Sequence, residues 1–327
     1  MILLLALIGF AIIAVWGANI LLRPYRPSNP KVTFTVLPGE DFSAIQARLV
    51  KSRLIPNSPW IALWARYKGW DRNLRAGRYE IDPSMPPAEI FRTFVEGPRV
   101  LLKVTLPEGW RSADGIQRLE ESLECDPGSL YKIARDSTWL LSLGLPAPNV
   151  EGYLFPETYF FDPGTTGHEI LRHILLKTIE YFNLERGARL RELGMTLHEA
   201  VTLASIIEAE AKLPEERVRI SAVFHNRLRE GWPLQADPTV LFAVGKSGEP
   251  PLTEDLESPS PYNTYLVQGL PPGPINSPGA AALEAALYPL PHCREFFFVA
   301  RPDGSHIFSR TLHEHEEARR RLKHSKG

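Results

Sequence analysis

The chain lacks the signatures by which most enzyme chemistry is recognised in a sequence. It has no Walker loop, no dinucleotide-binding glycine fingerprint, no nucleophile elbow and no His-Glu-x-x-His zinc motif. It has little cysteine: only Cys125 and Cys293, far apart and outside any Cys-x-x-Cys or Cys/His cluster, which argues against zinc. The two could pair in an oxidising compartment or remain free thiols. Charge of one sign is lacking too. With 37 basic and 38 acidic side chains the formal net charge is -1, so nothing in the bulk electrostatics favours nucleic acid as a partner. His313-Glu314-His315 looks like a metal fragment, but adjacent residues on a helix do not face one another. No metal or other cofactor is expected. No internal repeat or low-complexity run stands out.

What is present points to a folded chain with an apolar start. Hydrophobic residues make up 44%, ordinary for a globular protein, and 30 prolines gather towards the second half, where they stiffen loops. Residues 1–22 contain neither a charge nor a proline. At about 1.5 Å per residue, a helix of that length spans a hydrocarbon core of about 30 Å. No basic segment precedes the run and no small-residue cleavage site closes it, so an uncleaved anchor is expected rather than a signal peptide. Arg23, Arg26 and Lys31 follow the span, but long domains translocate largely regardless of charge, and orientation stays open on this ground.

After the apolar run the sequence predicts an α+β protein of two folded parts. Residues 23–30 read as a proline-punctuated tether. Residues 31–98 read as a small α+β module: a strand over 32–36, a helix capped by Asp41 or Ser43, a helix around 60–67, a strand over 78–81 and a helix over 86–95. Residues 99–327 read as a larger, mostly helical α+β domain. It opens on a strand over 100–106, with helices over 113–123, 130–143, 168–182 and 186–193. A hairpin around Pro302-Asp303-Gly304 and a basic last helix over 312–322 close it.

One helix stands apart. Thr196 followed by Glu199 reads as a capping box, and Leu197, Ala200, Val201, Ala204, Ile207 and Ala211 then share one face. Glu208 projects into that face, and Glu210 falls to its side. A carboxyl withdrawn from water holds its proton to higher pH, as a general acid must. The alternative is a buried glutamate satisfied by an arginine or by backbone donors. Polar loops follow: Gln235-Ala-Asp237-Pro-Thr239, then Ser258-Pro-Ser-Pro-Tyr262-Asn263-Thr264-Tyr265, then the proline- and glycine-rich run to Gly279. Such loops hold hydroxyls and amides in place, and tyrosines offer faces for sugars. Rigid structural loops explain them equally well.

Taken in order, Leu203-Ala-Ser-Ile-Ile-Glu208-Ala-Glu210, Val223-Phe-His-Asn226-Arg-Leu228, Leu234-Gln-Ala-Asp237-Pro-Thr239, Ser260-Pro-Tyr-Asn263-Thr-Tyr265 and the Gly269–279 run resemble the membrane-anchored endolytic murein transglycosylases, the YceG-like family. Leu106-Pro-Glu-Gly-Trp110 and Glu151-Gly-Tyr-Leu-Phe-Pro-Glu157 extend the resemblance over nearly the whole chain, and residues 31–98 look like a LysM-type glycan-binding module. The resemblance implies an enzyme of the bacterial inner membrane, single-pass, with its domains in the periplasm and peptidoglycan glycan strands as substrate. It implies peptidoglycan synthases as partners and a role in ending strand elongation. Carried onto this sequence, Glu208 becomes the acid and base, with Glu210 as fallback. Asn226, Gln235, Asp237, Thr239, Tyr262 and Asn263 become substrate-binding residues. Two other functions fit the residues: a glycoside hydrolase, with Asp237 or Glu157 as second carboxylate, and a glycan-binding scaffold without turnover.

Overall fold

The computed structural model describes residues 2–25 and 30–324. Two compact units emerge, Met1–Lys103 with Phe160–Thr166, and Val104–Tyr159 with Gly167–Gly327. The architecture is mixed α+β, rich in helix, with three small two-stranded sheets among the described residues.

The first unit begins with α1 (Ile2–Leu22), the apolar run expected as a span. Only part of its side chains belong to the described set, and among the described residues no helix is long and apolar enough to cross a membrane. Of the expected tether, residues 26–29 lie outside the described residues. Strand β1 (Val32–Val36) leads into α2 (Phe42–Lys51), whose first turn is capped by Asp41 Oδ1 accepting from the Ala44 N–H at 2.7 Å. Helix α3 (Pro59–Lys68) starts on Ser58 with proline at its first position and stops at Gly69, whose φ of 69° a side chain would resist. Strand β2 (Gly77–Ile81) returns antiparallel to β1 with Phe34 opposite Tyr79, and α4 (Pro87–Glu96) covers the pair. Ile45, Leu49, Tyr79, Ile81, Ile90 and Phe94 are fully buried between these elements. Each such side chain contributes about 1.5–3 kcal/mol, enough to hold a small core. The Tyr79 hydroxyl donates to the carbonyls of Arg75 (2.7 Å) and Phe94 (3.2 Å), so its burial leaves no polar group unmet.

Strand β3 (Leu102–Thr105), whose last two residues open the second unit, is followed by α5 (Ser112–Ser122), α6 (Ser129–Ile133) and α7 (Ser137–Ser142). The single helix expected over 130–143 is thus broken in two. The cause is Asp136, whose Oδ1 accepts from the N–H groups of Thr138 (3.1 Å) and Trp139 (3.0 Å) and starts a new helix where apolar periodicity alone runs on. β4 (Thr158–Phe161), which the sequence did not announce, pairs with β3. Next come α8 (Gly167–Tyr181), α9 (Leu184–Leu193) and α10 (Leu197–Glu210). A 3-10 turn at Pro214–Glu216 runs into α11 (Arg217–Arg229), followed by α12 (Asp237–Ala243), α13 (Thr253–Leu256) and α14 (Ala280–Leu287). The antiparallel hairpin β5 (Phe297–Ala300) and β6 (His306–Ser309), then α15 (Leu312–His324), finish the chain as expected.

Helix α10 is the centre of this unit. Its expected capping box is present: Thr196 Oγ1 accepts from the Glu199 N–H at 3.2 Å, and Glu199 Oε2 accepts from the Thr196 N–H at 2.7 Å. The expected one-sided stripe is not. Val201, Leu203, Ala204, Ile206 and Ile207 are all buried, and so are Thr202 and Ser205. A helix buried around most of its circumference needs apolar neighbours on every side. α14 supplies one of them, with Ala282, Leu283, Ala285 and Ala286 buried against the core. Thr202 and Ser205 go inside because each hydroxyl finds a carbonyl of its own helix, at His198 and Thr202.

Candidate active site

Glu208 sits in the last turn of α10, with its side chain 9% exposed. Its Oε2 accepts the Gly279 N–H at 3.1 Å, at the start of α14, and its Oε1 lies 3.5 Å from Nη2 of Arg217, at the start of α11. Burial is the largest influence on the carboxyl and raises its pKa. The Gly279 N–H and the Arg217 charge work against that, and the like charge of Glu108 adds to it. The net direction is upward, the direction an acid catalyst needs.

The loop that delivers Gly279 is sewn onto α10 from beneath. Ser205 Oγ accepts the Ile275 N–H at 3.0 Å, and the Ser205 carbonyl accepts from Asn276 Nδ2 at 2.9 Å. Two buried hydrogen bonds accepted by one serine therefore fix the loop one turn before Glu208. A second turn closes on it: the Gly109 N–H donates to the Ser277 carbonyl and the Ser277 N–H to the Trp110 carbonyl, both at 2.8 Å. This exchange brings Pro107–Trp110, between β3 and α5, to the edge of the Glu208 side chain.

Beside Glu208 opens a cleft of about 230 Å³ whose lining includes Gly109, Arg111, Ala209, Phe242, Lys246 and Asn276. The Arg111 guanidinium lies 5.2 Å from the centre of the Phe242 ring and donates to the Lys246 carbonyl at 2.6 Å. Phe242 also packs on Tyr262, ring centres 4.9 Å apart. Aromatic faces beside a cation suit a polar ring with apolar C–H faces.

The residues expected to line the site divide. Tyr262 is half-buried and packs behind the cleft on Phe242. Asp237, at the start of α12, accepts the Tyr265 hydroxyl at 2.6 Å and acts by its charge on Glu210, not on Glu208. Glu210 thus belongs to a neighbouring group: burial pushes its carboxyl up to about 8, with Asp237 adding and Arg227 opposing. Gln235, exposed and at a φ of 48°, is 3.5 Å through its Oε1 from Nη1 of Arg227. The other three are turned to the protein itself. Asn226 donates to the carbonyls of Cys293 (3.1 Å) and Glu295 (2.8 Å) and accepts from Arg229. Asn263 donates to the carbonyls of Leu256 and Ser258 and accepts the Tyr265 N–H at 3.0 Å. Thr239 is fully buried, with its hydroxyl on the Ala236 carbonyl and on Thr264. Glu157 forms an ion pair with Lys177 at 3.2 Å, away from Glu208 in the contacts it makes. Glu108 belongs to the Leu106-Pro-Glu-Gly-Trp110 motif, to which the sequence alone assigns no role. Its signal was a carboxylate beside a turn glycine immediately after a strand. Both cysteines are free, and among the described residues no group of three His, Cys, Asp or Glu could hold a metal.

A shielded carboxyl with its pKa raised, held by contacts from other elements beside a cleft, has the properties that acid–base chemistry needs. The sequence matches the YceG-like family over residues 34–321, and the chain belongs to that family. It is 31% identical over 328 residues to the endolytic murein transglycosylase of Bacillus subtilis (strain 168), across 95% of this chain and 90% of that protein. It is 29% identical over 322 residues to the protein of the same name from Streptococcus pneumoniae (strain ATCC BAA-255 / R6), there covering 88% of this chain and 58% of that longer one. The 2.6 Å crystal structure of a YceG-like protein from Listeria monocytogenes superposes with a TM-score of 0.61 at 32% identity, covering 89% of this chain and 100% of that one.

Proposed function

We propose that the chain is a peptidoglycan lytic transglycosylase that cuts the β-1,4 bond between N-acetylmuramic acid and N-acetylglucosamine within nascent glycan strands. The observation that carries this reading is Glu208, buried, with its pKa raised, and set beside the cleft. The names of the relatives from Bacillus and Streptococcus support the substrate. In the first step the protonated Glu208 gives its proton to the bridging oxygen as the bond from that oxygen to the muramic C1 breaks, and the glucosamine leaves with a free hydroxyl. The Glu208 carboxylate, met by the Gly279 N–H and Arg217, then takes the proton of the muramic C6 hydroxyl. The C6 oxygen closes on C1, giving the 1,6-anhydro ring and restoring the acid. Asn226, Thr239 and Asn263 shape the loops of the site, while Tyr262 backs the cleft and Gln235 and Asp237 flank it.

The test is mass spectrometry of glycan strands treated with the full chain in detergent, wild type beside Glu208→Gln. Internal fragments with 1,6-anhydro ends that disappear in the variant are expected. Full activity in Glu208→Gln would refute the assignment. Intact strands from a folded wild type that still binds glycan would favour a scaffold. One observation favours a second reading, a muramidase. Glu108 is a second carboxylate near Glu208, and hydrolases work with carboxylate pairs about 5–9.5 Å apart. Reducing ends would identify that case.

In the same reading α1 is an inner-membrane anchor, the first unit is a LysM-like glycan-binding module, and both units face the periplasm close to the peptidoglycan synthases. A tether of residues 23–30 reaches no further than about 3.3–3.6 Å per residue, which keeps cutting near the membrane, where strands emerge. Inserting a long flexible linker after Arg23 should lengthen glycan strands in the cell; unchanged strand length would overturn the proximity argument.

A further inference from the structure

The reaction described above does not use Glu108, yet the fold brings it to the reacting acid. The turn carrying it is fixed by the two backbone hydrogen bonds to Ser277, so its backbone position is set. Its carboxylate lies against the α-carbon of Gly279, where a Cβ would fall on the Glu108 carboxylate atoms. The N–H of the same glycine donates to Glu208. A Cβ on Gly109, next to Glu108, would stand 3.8 Å from Cγ of Glu208. Two carboxylates therefore converge on one glycine, one on its N–H and the other against its α-carbon. Glu108 is exposed, whereas Glu208 is shielded.

We propose that Glu108 is a positioning residue for the proton of Glu208, its charge keeping Glu208 in the acid form until the glycosidic oxygen takes the proton. This rests on the reading of Glu208 as the acid. Two like charges so placed resist being ionised together, and the buried partner is the one that stays neutral. The same repulsion serves the second half of the cycle. Once Glu208 has given up its proton, the neighbouring charge makes it a stronger base towards the C6 hydroxyl. Among the described residues those that act most on Glu208 are the Gly279 N–H from α14, Arg217 from α11 and Glu108 from the β3–α5 turn, while Arg111 and Lys246 line the cleft beside it. Glu210, on the same helix, faces Asp237 and Arg227. Glu108 is thus the acidic neighbour that opposes Arg217.

The test is the pH profile of kcat/KM for the full chain in detergent, in wild type, Glu108→Gln and Glu108→Asp. The descending limb reports loss of the Glu208 proton. In Glu108→Gln it should move down by about one pH unit, a tenfold loss of activity on the alkaline side. KM at acidic pH should hold, and Glu108→Asp should restore part of the shift. A second readout uses salt. An exposed charge is screened, so raising ionic strength from 0.05 to 0.5 M should lower the wild-type limb and leave that of Glu108→Gln in place. A limb that stays put in Glu108→Gln, whether or not the rate falls, overturns the proposal, since a merely structural role lowers rate without moving the limb. Product analysis keeps the two claims apart. Reducing ends from wild type would refute the transglycosylase reading, while the limb would still report on Glu108, because hydrolysis needs the acid as well.

Discussion

Gly279→Ala isolates the convergence of the two carboxylates with one methyl group. Gly279 has φ -73° and ψ 166°, a conformation open to alanine, so backbone strain contributes nothing. As the residue capping α14, alanine is a poorer choice than glycine, by about 0.5–1 kcal/mol. The new Cβ falls on the Glu108 carboxylate, but Glu108 is exposed and free to swing outwards, so overpacking adds little. A total of about 1 kcal/mol lowers the melting temperature by about 2–4 °C for a domain of this size. The chemistry should suffer more than the fold. With Glu108 displaced and the Gly279 N–H still on Glu208, the descending limb of kcat/KM should fall as in Glu108→Gln. In a Glu108→Ala background the same substitution should leave the limb where it is, because the group that the methyl displaces is gone, while the capping cost remains. The assay is a double-mutant cycle read by the pH limb, with melting temperature expected to be close to additive. Additive effects on the limb, or a wild-type limb in Gly279→Ala, would refute the geometry.

Arg217→Gln removes the cation that favours ionised Glu208, so the limb should move upwards, opposite to Glu108→Gln; a downward move would contradict the balance described above. Glu210, with its folded pKa raised to about 8 from 4.5, binds more protons in the folded than in the unfolded chain between those values. Stability should therefore fall as pH rises through that window. Glu210→Gln should flatten this slope and, above pH 8, be more stable than wild type by at least about 1.4 kcal/mol, the worth of one pKa unit. Parallel stability curves from pH 5 to 9 would refute this. Asn263→Ala strands the half-buried carbonyls of Leu256 and Ser258 and should cost about 1–3 kcal/mol in denaturant melts. A fully stable variant with a raised KM would instead return Asn263 to the substrate.

Local chemistry was legible in the sequence, and convergence was not. The capping box at Thr196, the Asp41 cap and the closing hairpin depend on residues within a few positions, and all appear. Asp136 was legible in principle, since its cap needs only Thr138 and Trp139, but the apolar period runs straight through it, and one helix was expected where two form. The side of α10 that would be buried depended on α14, a helix the sequence reading did not anticipate, so a helix buried almost all round was read as one-sided. Asn226 and Thr239 show another limit. A polar residue in an ordered loop or helix serves either a ligand or a backbone carbonyl, and the choice rests with the partner. For Asn226 those partners are Cys293 and Glu295, 67 and 69 residues away. The return of residues 160–166 to the first unit left no mark in composition or periodicity.

Glu208 shows why a buried acid cannot be understood from burial alone. A group that must first give a proton and then take one works best with a pKa near the working pH, since departure in either direction weakens one of the two steps. Desolvation by itself pushes in one direction. Around Glu208 it is opposed by an N–H and a guanidinium and reinforced by a carboxylate. Each of the three comes from a different element, at the start of α14, the start of α11 and the β3–α5 turn. Because the influences have opposite signs, removing any one shifts the balance in a direction fixed in advance. Paired variants at Glu108 and Arg217 should therefore move the same limb apart, and the double variant should bring it back towards wild type. A protein in which both single variants lost activity at a fixed limb would have a glutamate held in place by its neighbours, not one tuned by them.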